Sequence, residues 1–558
     1  NHTVSYNKGY PYNPITYRLR EDGSWIRYKG RKGDMDGEAP ENPVFPETEV
    51  ISGGPFRTWY YEISLNYIRT FGKHDVSALL LGQRRQTQTD VDFPRYEEGL
   101  VGRITYNYNK RYLTELNLGY NGSEQFSPQK RYGLFPSLAL GWNLHHESFF
   151  KPLLPIINRA KIRYSYGEVG SDASTSRWLY TSSYINGNNG VNYYPGTAGS
   201  PGPSRTTIIE ELAANENATW EKAIKQDIGI ELEFFNSMFV LNLDFYKERR
   251  TQILLSRKSV PDWFGVGMKQ QNLGETKTQG YEIDLKFQQT TSGGFYYWLK
   301  PSISFSDNRI VERDEPMNKP AYQKEAGKRI FQPFGYQWTG MIQNPDEQMN
   351  SLRYGSGLMG LGDSQWVDFN GDGVISELDK VPIGYSTLYP LYNFSLGGGF
   401  RYKNFELTFL FQGVTDISKV VIDSYSWPLQ RLSNKVFDYQ LDAWSPNNRD
   451  AQYNAFHFDA NRIHNNIDDN TIRATNIYDG SYIRLKTLSL SYAVPKRAVK
   501  KMGLNKLQIF IRGNNLFTWS PNYPLADPEA SDGDNSNWTS WGYYPMLRRV
   551  TLGAQIAF

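Results

Sequence analysis

Apolar and polar residues alternate, position by position, through most of this chain. In YYEISLNYIRT, Ile63, Leu65 and Tyr67 share one face and Glu62, Ser64 and Asn66 the other, because successive strand side chains point to opposite sides. GRITYNYNKRYLTELNLGY predicts a hairpin turning at Asn109-Lys110. Ile104, Tyr106 and Tyr108 lie on one face of its first strand, and Leu116, Leu118 and Tyr120 on one face of its second. IGIELEFFNSMFVLNLDFYKERR predicts another, with Ile228, Ile230, Leu232 and Phe234 answered by Phe239, Leu241, Leu243 and Phe245. YEIDLKFQ, YYWLKPSISFS, YNFSLGGGFRYK, FELTFLFQG, LKTLSLSYAV and KLQIFIRGNN read as further strands. The last, RRVTLGAQIAF, places Val550, Leu552, Ala554, Ile556 and Phe558 on an apolar face and Arg549, Thr551, Gly553 and Gln555 on the opposite one.

About fifteen strands follow from this reading, many long enough to cross a membrane at a tilt. No helical pattern intervenes between hairpins, so an antiparallel meander is expected. Short turns such as NYNKRY and RYKNFE alternate with long insertions near 171–219, 251–275, 311–389, 414–478 and 520–545. Short turns on one rim and long loops on the other are the asymmetry of an outer-membrane barrel, periplasmic and extracellular respectively. Residues 1–558 are therefore expected to form an all-β, antiparallel up-and-down transmembrane β-barrel with long extracellular loops. Leu552, Ala554, Ile556 and Phe558 should face lipid and Gln555 the lumen or a plug, with the final strand closing the barrel.

Composition fits this picture. Aromatic residues are 15% of the chain, with 40 Tyr, 30 Phe and 14 Trp, against a hydrophobic fraction of 39%. Soluble cores are mostly aliphatic, whereas aromatic girdles and a polar lumen suit a barrel. The formal net charge of +3 gives no case for nucleic acid. Without cysteine there is no disulfide, thiolate metal site or catalytic Cys. No apolar run is long enough for a transmembrane helix. No signal peptide precedes Asn1, so a mature, processed or fragmentary chain is expected.

One local motif carries metal chemistry. In DFNGDGVISELD, Asp368, Asn370 and Asp372 stand at positions 1, 3 and 5 of a twelve-residue loop, with Gly373 at the sharp turn. Val374 would offer its carbonyl, Ser376 a direct or water-mediated oxygen, and Asp379 the closing carboxylate. Calcium takes six to eight oxygens at about 2.3–2.6 Å, which this spacing can wrap around one point. The expected role is structural; the competing reading is an Asx-rich turn held by its own side chains. The histidines do not form an acid–base pair: His145 and His146 with Glu147 read as a polar turn, His74 lies in a turn, and His457 and His464 lie in a long polar loop. No catalytic residue is expected. The long loops carry rings among small polar residues: Trp178, Tyr180, Tyr184, Tyr193, Tyr194, Trp263, Tyr425 and Trp427. Such rings stack on sugar faces or peptide side chains, and they equally pack loops against one another or against a lid protein.

Several phrases resemble, in order, the SusC/RagA family of TonB-dependent transporters. They are EEGLVGRITYNYNKRYLTELNLGYNGSEQF, RYGLFPSLALGWNL, KIRYSYGEVGSD, TWEKAIKQDIGIELEFFN, NLGETKTQGYEIDL, VDFNGDGVISELDKVPIG, DGSYIRLKTLSLSYAVP and RGNNLFTW. The resemblance runs from about residue 59 to Phe558. It implies a barrel of about 22 strands with a plugged lumen, a TonB box, a SusD-type lipoprotein lid, and uptake of glycans or peptides across the outer membrane of Bacteroidota. No plug or TonB box is recognisable here, and the strands are too few and odd in number. The chain is thus expected to be the C-terminal part of a transporter, with plug and first strands on another chain or removed, and TonB engaged through that part. The alternatives are a passive porin and a soluble extracellular glycan-binding protein or glycoside hydrolase; the hydrolase needs two carboxylates at a fixed separation. Glycan and peptide remain equal as substrate classes.

Overall fold

The computed structural model describes residues 16–19, 25–28, 56–89, 93–173, 177–186, 192–193, 196–197, 200–201, 205–354, 359–421, 436–456, 474–523, 526–529, 538–539 and 546–558. Fifteen strands form one sheet. They are β1 Phe56–Phe71, β2 His74–Thr89, β3 Arg95–Tyr108, β4 Tyr112–Ser123 and β5 Tyr132–Asn143. Then come β6 Ile157–Ser171, β7 Glu221–Phe234, β8 Phe239–Leu255, β9 Gln271–Thr290 and β10 Tyr296–Glu312. β11 Tyr392–Tyr402, β12 Phe405–Thr415, β13 Tyr482–Ala493, β14 Lys506–Trp519 and β15 Arg549–Ala557 complete it. Each strand pairs with its sequence neighbours, so the order is an uninterrupted antiparallel meander. Among the described residues β1 and β15 each keep a free edge and do not pair with each other, so the sheet is an open wall, not a closed barrel.

Register fixes which side chains share a face. The pairs Ile63–Gly82, Gly82–Leu100, Leu100–Tyr120 and Tyr120–Leu134 make one continuous row across β1 to β5. The next rows toward the β1–β2 turn read Leu65, Leu80, Gly102, Leu118 and Pro136, then Tyr67, Ala78, Ile104, Leu116 and Leu138. Aromatic rows bound this aliphatic band. At one end lie Tyr108, Tyr112 and Trp142, and at the other Tyr61 and Tyr132. From Trp142 to Tyr132 is ten residues of β5; at about 3.3 Å per residue and a tilt of about 40° this spans about 25 Å, the height of a barrel's lipid-facing band. Ile63, Leu65, Leu80, Leu100, Ile104, Leu116, Leu118, Leu134, Leu138 and Leu140 are all exposed. The buried apolar clusters lie instead in the connections or where strands meet them, such as Phe126, Leu179 and Trp220, or Tyr336, Trp366 and Ile375. A sheet that turns its large aliphatics outward while its loops hold the core is built for an apolar surrounding.

Turns on one rim are short. Gly72 (φ +62°), Asn109 (+49°), Lys110 (+59°) and Lys403 (+51°) supply the left-handed backbone that tight hairpins require. On the opposite rim run the connections 172–220, 256–270, 313–391, 416–481 and 520–548. The expected absence of helix needs one correction. Among the described residues two single helices occur, α1 Pro345–Asn350 and α2 Lys496–Lys501. Asn344 caps α1 by accepting from the Glu347 amide at 2.9 Å, and α2 begins directly after Pro495. Helices of six residues carry too few turns to show a 3.6-residue period.

Candidate functional site

The polar face of β6, β7 and β8 carries interlocked charges. Cross-strand pairing sets Lys161 opposite Glu231 and Arg159 opposite Glu233. Lys161 Nζ lies 3.1 Å from Glu231, and Arg159 reaches Glu231 at 3.3 Å and Glu233 at 3.2 Å. Arg163 donates to Asp227 at 2.9 Å, approaches Glu231 at 3.5 Å, and spans β7 to contact Asp244 on β8. These groups are partly solvated, so each pair contributes at most about 1 kcal/mol. Their effect is to fix a wall of alternating charge, continued by Glu282 and Asp284 on β9, which line a 410 Å³ recess with Ser302, Ser304, Asn393 and Gln412. This network is absent from the sequence reading, although Lys161 and Arg163 share the polar face of one predicted strand and Asp227 and Glu231 that of the next.

At the long-connection rim, Arg484 is fully buried at the start of β13. Its guanidinium donates to Glu529 at 2.6 Å and to Asp527, and Lys486 also reaches Glu529 at 2.6 Å. Lys419 is buried nearby; burial pushes its ammonium down to about 8, against the attraction of Asp527 and Glu529. The knot fastens the 416–481 and 520–548 connections to the sheet. A second fastening uses Lys269, whose Nζ donates to the Arg177 and Trp178 carbonyls at 3.2 and 2.8 Å.

Trp178 sits inside that fastening. Its ring packs on Phe93 at 5.6 Å, the Arg177 guanidinium lies 4.6 Å from its centre, and its amide donates to Gln125. It therefore holds connections together. Tyr180 is half-buried. Tyr184 is 64% exposed on the short strand Ser183–Asn186, opposite Glu210, and Trp263 is 84% exposed in the turn leading to Gly267–Met268. The strand of Tyr184 pairs with Ile208–Ala213, which also pairs with Gly267–Met268, the strand that follows the Trp263 turn. Tyr193 pairs in the backbone with Arg205. Tyr194, Tyr425, Trp427, His457 and His464 lie outside the described residues.

The 368–379 loop is a closed turn. Asp368 accepts from the amides of Gly371 and Gly373 at 2.8 and 2.7 Å, and Asp372 from Val374 at 2.9 Å and the Asn370 side chain at 2.8 Å. Asp379, buried, accepts from the amides of Phe369 and Ser376, both at 2.7 Å. Ser376 caps the short turn Glu377–Asp379, and Ile375 is buried against Tyr336 and Trp366. Val374 is exposed. Among the described residues no three His, Cys, Asp or Glu side chains converge as a metal site; the loop's acids are engaged by amides. His145, in the Leu144–His146 turn, pairs through Nδ1 with the Ala160 carbonyl at 2.9 Å, and Glu147 accepts from Trp142 at 3.1 Å. Both stitch the short-turn rim.

No family model matches the chain. TonB-dependent receptor P3 of Formosa agariphila is 26% identical over 623 aligned residues, covering all of this chain and 59% of the relative. TonB-dependent receptor SusC of Bacteroides thetaiotaomicron is 23% identical, covering 89% of this chain and 50% of SusC. The chain thus spans about half the length of the curated relatives it matches. In fold it is similar to a chain of the RagAB peptide importer in its closed-closed state, with a TM-score of 0.69, 16% identity, and coverage of 90% of this chain and 56% of that one.

The chain is similar in sequence to TonB-dependent receptors, SusC among them, and shares its fold with a RagAB importer chain. The apolar rows and the charged groups of β6–β9 lie on opposite faces of this sheet. No described helix is long and apolar enough to cross a membrane.

Proposed function

We propose that this chain forms most of the barrel wall of a TonB-dependent importer in the outer membrane of a Gram-negative, Bacteroidota-like cell. The cargo is a glycan or peptide, a SusD-like lipoprotein covers the long connections, and a plug and the remaining strands complete the lumen and receive TonB. The observation that carries this reading is the two-faced fifteen-strand meander, aliphatic rows between aromatic rows outside and charged rows inside. Of the rings predicted to meet cargo, Tyr184 and Trp263 stand exposed and can meet cargo or lid. The work is transport, with no chemical change to the cargo.

Fractionation of cells carrying the intact transporter tests this. The protein should sediment with outer membrane, migrate faster on gels unboiled than boiled, and bring a SusD-like lipoprotein through mild detergent. Uptake of labelled oligosaccharides or peptides should stop without TonB. Uptake indifferent to TonB would make it a passive porin, and a water-soluble product without heat shift would make it a soluble β-protein.

As a second part of this proposal, the 368–379 loop takes one structural calcium. The support is oxygen spacing at positions 1, 3, 5, 7, 9 and 12, with Asp368 already folded onto the Gly373 amide. Binding would require Asp379 to exchange amide partners for the ion.

A further inference from the structure

The outer face of β1–β5 is not smooth. At the end remote from the short turns lies a 470 Å³ groove lined by Tyr61, Ile63, Gly82, Arg84, Leu100 and Tyr120, among others. Its floor is Gly82, where an added Cβ would meet only Ile63 Cγ2, at 3.6 Å. Gly122, one row higher, leaves no such space, because the Tyr132 ring covers it at 2.6 Å from the position of a Cβ. Tyr132 stacks on Tyr120 at 5.1 Å and donates its hydroxyl to Glu98. Gly102, one row nearer the short turns on the same face, is also open, with nothing within 4 Å of an added Cβ, so the slot over Gly82 runs on toward the aliphatic band.

The rim of the groove is charged. Arg84 follows Gly82 on the same face, in register with Tyr61 and Glu98. It makes no ion pair or hydrogen bond among the described residues, and its guanidinium rests only on the Tyr96 ring, 5.2 Å from the centre. Arg57 stands further along this face. An unpaired guanidinium at the aromatic girdle, directly above an aliphatic slot, matches an amphiphile with an anionic head and a hydrocarbon tail. A strand added to the free edge of β1 would lie in the plane of the sheet and leave this outer face open.

We infer that the groove is a binding site for a phosphorylated, acylated glycolipid of the outer leaflet. One acyl chain lies over Gly82 between Ile63 and Leu100, a phosphate meets Arg84, and Glu98 accepts from sugar hydroxyls. The inference rests on the outer-membrane reading above, since the long connections place this girdle at the external surface.

The test uses the intact transporter, delipidated in mild detergent and analysed by native mass spectrometry after adding a bisphosphorylated, acylated glucosamine disaccharide. Retention through detergent exchange should fall about tenfold in Arg84→Gln, about 1.4 kcal/mol, and similarly in Gly82→Leu, which fills the slot. The dephosphorylated glycolipid should bind wild type as weakly as the phosphorylated one binds Arg84→Gln, a comparison that needs no variant to fold. Equal retention across wild type, both variants and the dephosphorylated lipid overturns the site. Heat-dependent migration, scored on the same samples, separates the two claims: a shifted band with unselective lipid retention sinks only this inference. A protein that never enters the membrane fraction sinks the transport reading with it.

Discussion

Arg163 on β6 lies directly across Gly229 on β7, its paired residue, and reaches Asp244 on β8 only because Gly229 has no side chain. A Cβ at Gly229 would stand 2.4 Å from Arg163 Nε and 2.7 Å from its Cγ. One missing methyl group thus converts neighbour pairing into a three-strand bond on the inner wall. The same guanidinium also contacts Asp227 and Glu231, so one backbone choice positions the centre of the network.

Gly229→Ala should therefore displace the guanidinium and destabilise the wall by about 1–3 kcal/mol, as overpacking does. Heat-modifiability midpoints measure this. Adding Arg163→Ala should remove the clash, so the double variant should cost less than the sum of the singles. Strict additivity would show that Arg163 does not lie over Gly229.

Asp314 predicts an acid-labile fastening outside the membrane. Burial pushes its carboxyl up, but hydrogen bonds from Ser259 Oγ and from the Lys258 and Ser259 amides, with the Arg257 guanidinium, hold it below its ordinary value. A depressed carboxylate contributes stability that is whole above its unfolded value of about 3.9 and is lost as pH falls through the folded value. Amide exchange at Lys258 and Ser259, corrected for intrinsic rates, should stay protected above about pH 4 and open below it. Asp314→Asn should open them at neutral pH. Protection indifferent to both would remove the carboxylate from the account.

Depth along β15 separates two outward positions. Ile556 pairs with Leu507 near the short-turn rim, whereas Leu552 pairs with Ile511, four residues further in. Leu552→Lys should cost about 2–4 kcal/mol of membrane stability and Ile556→Lys about 0–1. Equal and negligible costs would contradict a lipid-facing β15.

Calcium at the 368–379 loop should appear as terbium luminescence sensitised by Tyr322, whose ring lies 4.7 Å from Phe369. Calcium should quench it with half-effect at about 10⁻⁴–10⁻³ M, and Asp372→Ala should abolish it. Because amides already close the turn, chelation should alter Asp379 and its partners without unfolding the loop. Silence at millimolar metal reduces the motif to an Asx turn.

The sheet was legible because alternation is a local signal. The IGIELEF and FVLNLDF segments carry their own faces, and the register Ile228–Phe245 follows once the 235–238 turn is placed. Contacts that cross strands or connections were not legible. Arg484 finds Asp527 and Glu529 43 and 45 residues away, a distance that no period in the sequence encodes. Arg163 meets Asp244 only through the register of two hairpins and a glycine between them. Trp178 reads in sequence as a free ring in a polar loop; its packing on Phe93 depends on two connections meeting at the rim. The slot at Gly82 is likewise invisible in the chain, since it is defined by neighbours on β1 and β3.

The chain contains no cysteine, so single cysteines can be walked along β3 and β9 of the intact protein in lipid and spin-labelled. Labels at positions 100, 104 and 106, and at 283, 285 and 287, should collide with oxygen dissolved in the bilayer. Labels at 103, 105 and 107, and at 282, 284 and 286, should collide instead with a water-soluble nickel complex. Strict alternation in opposite phase for the two quenchers is the predicted result; accessibility to the nickel complex at both faces would contradict a membrane wall.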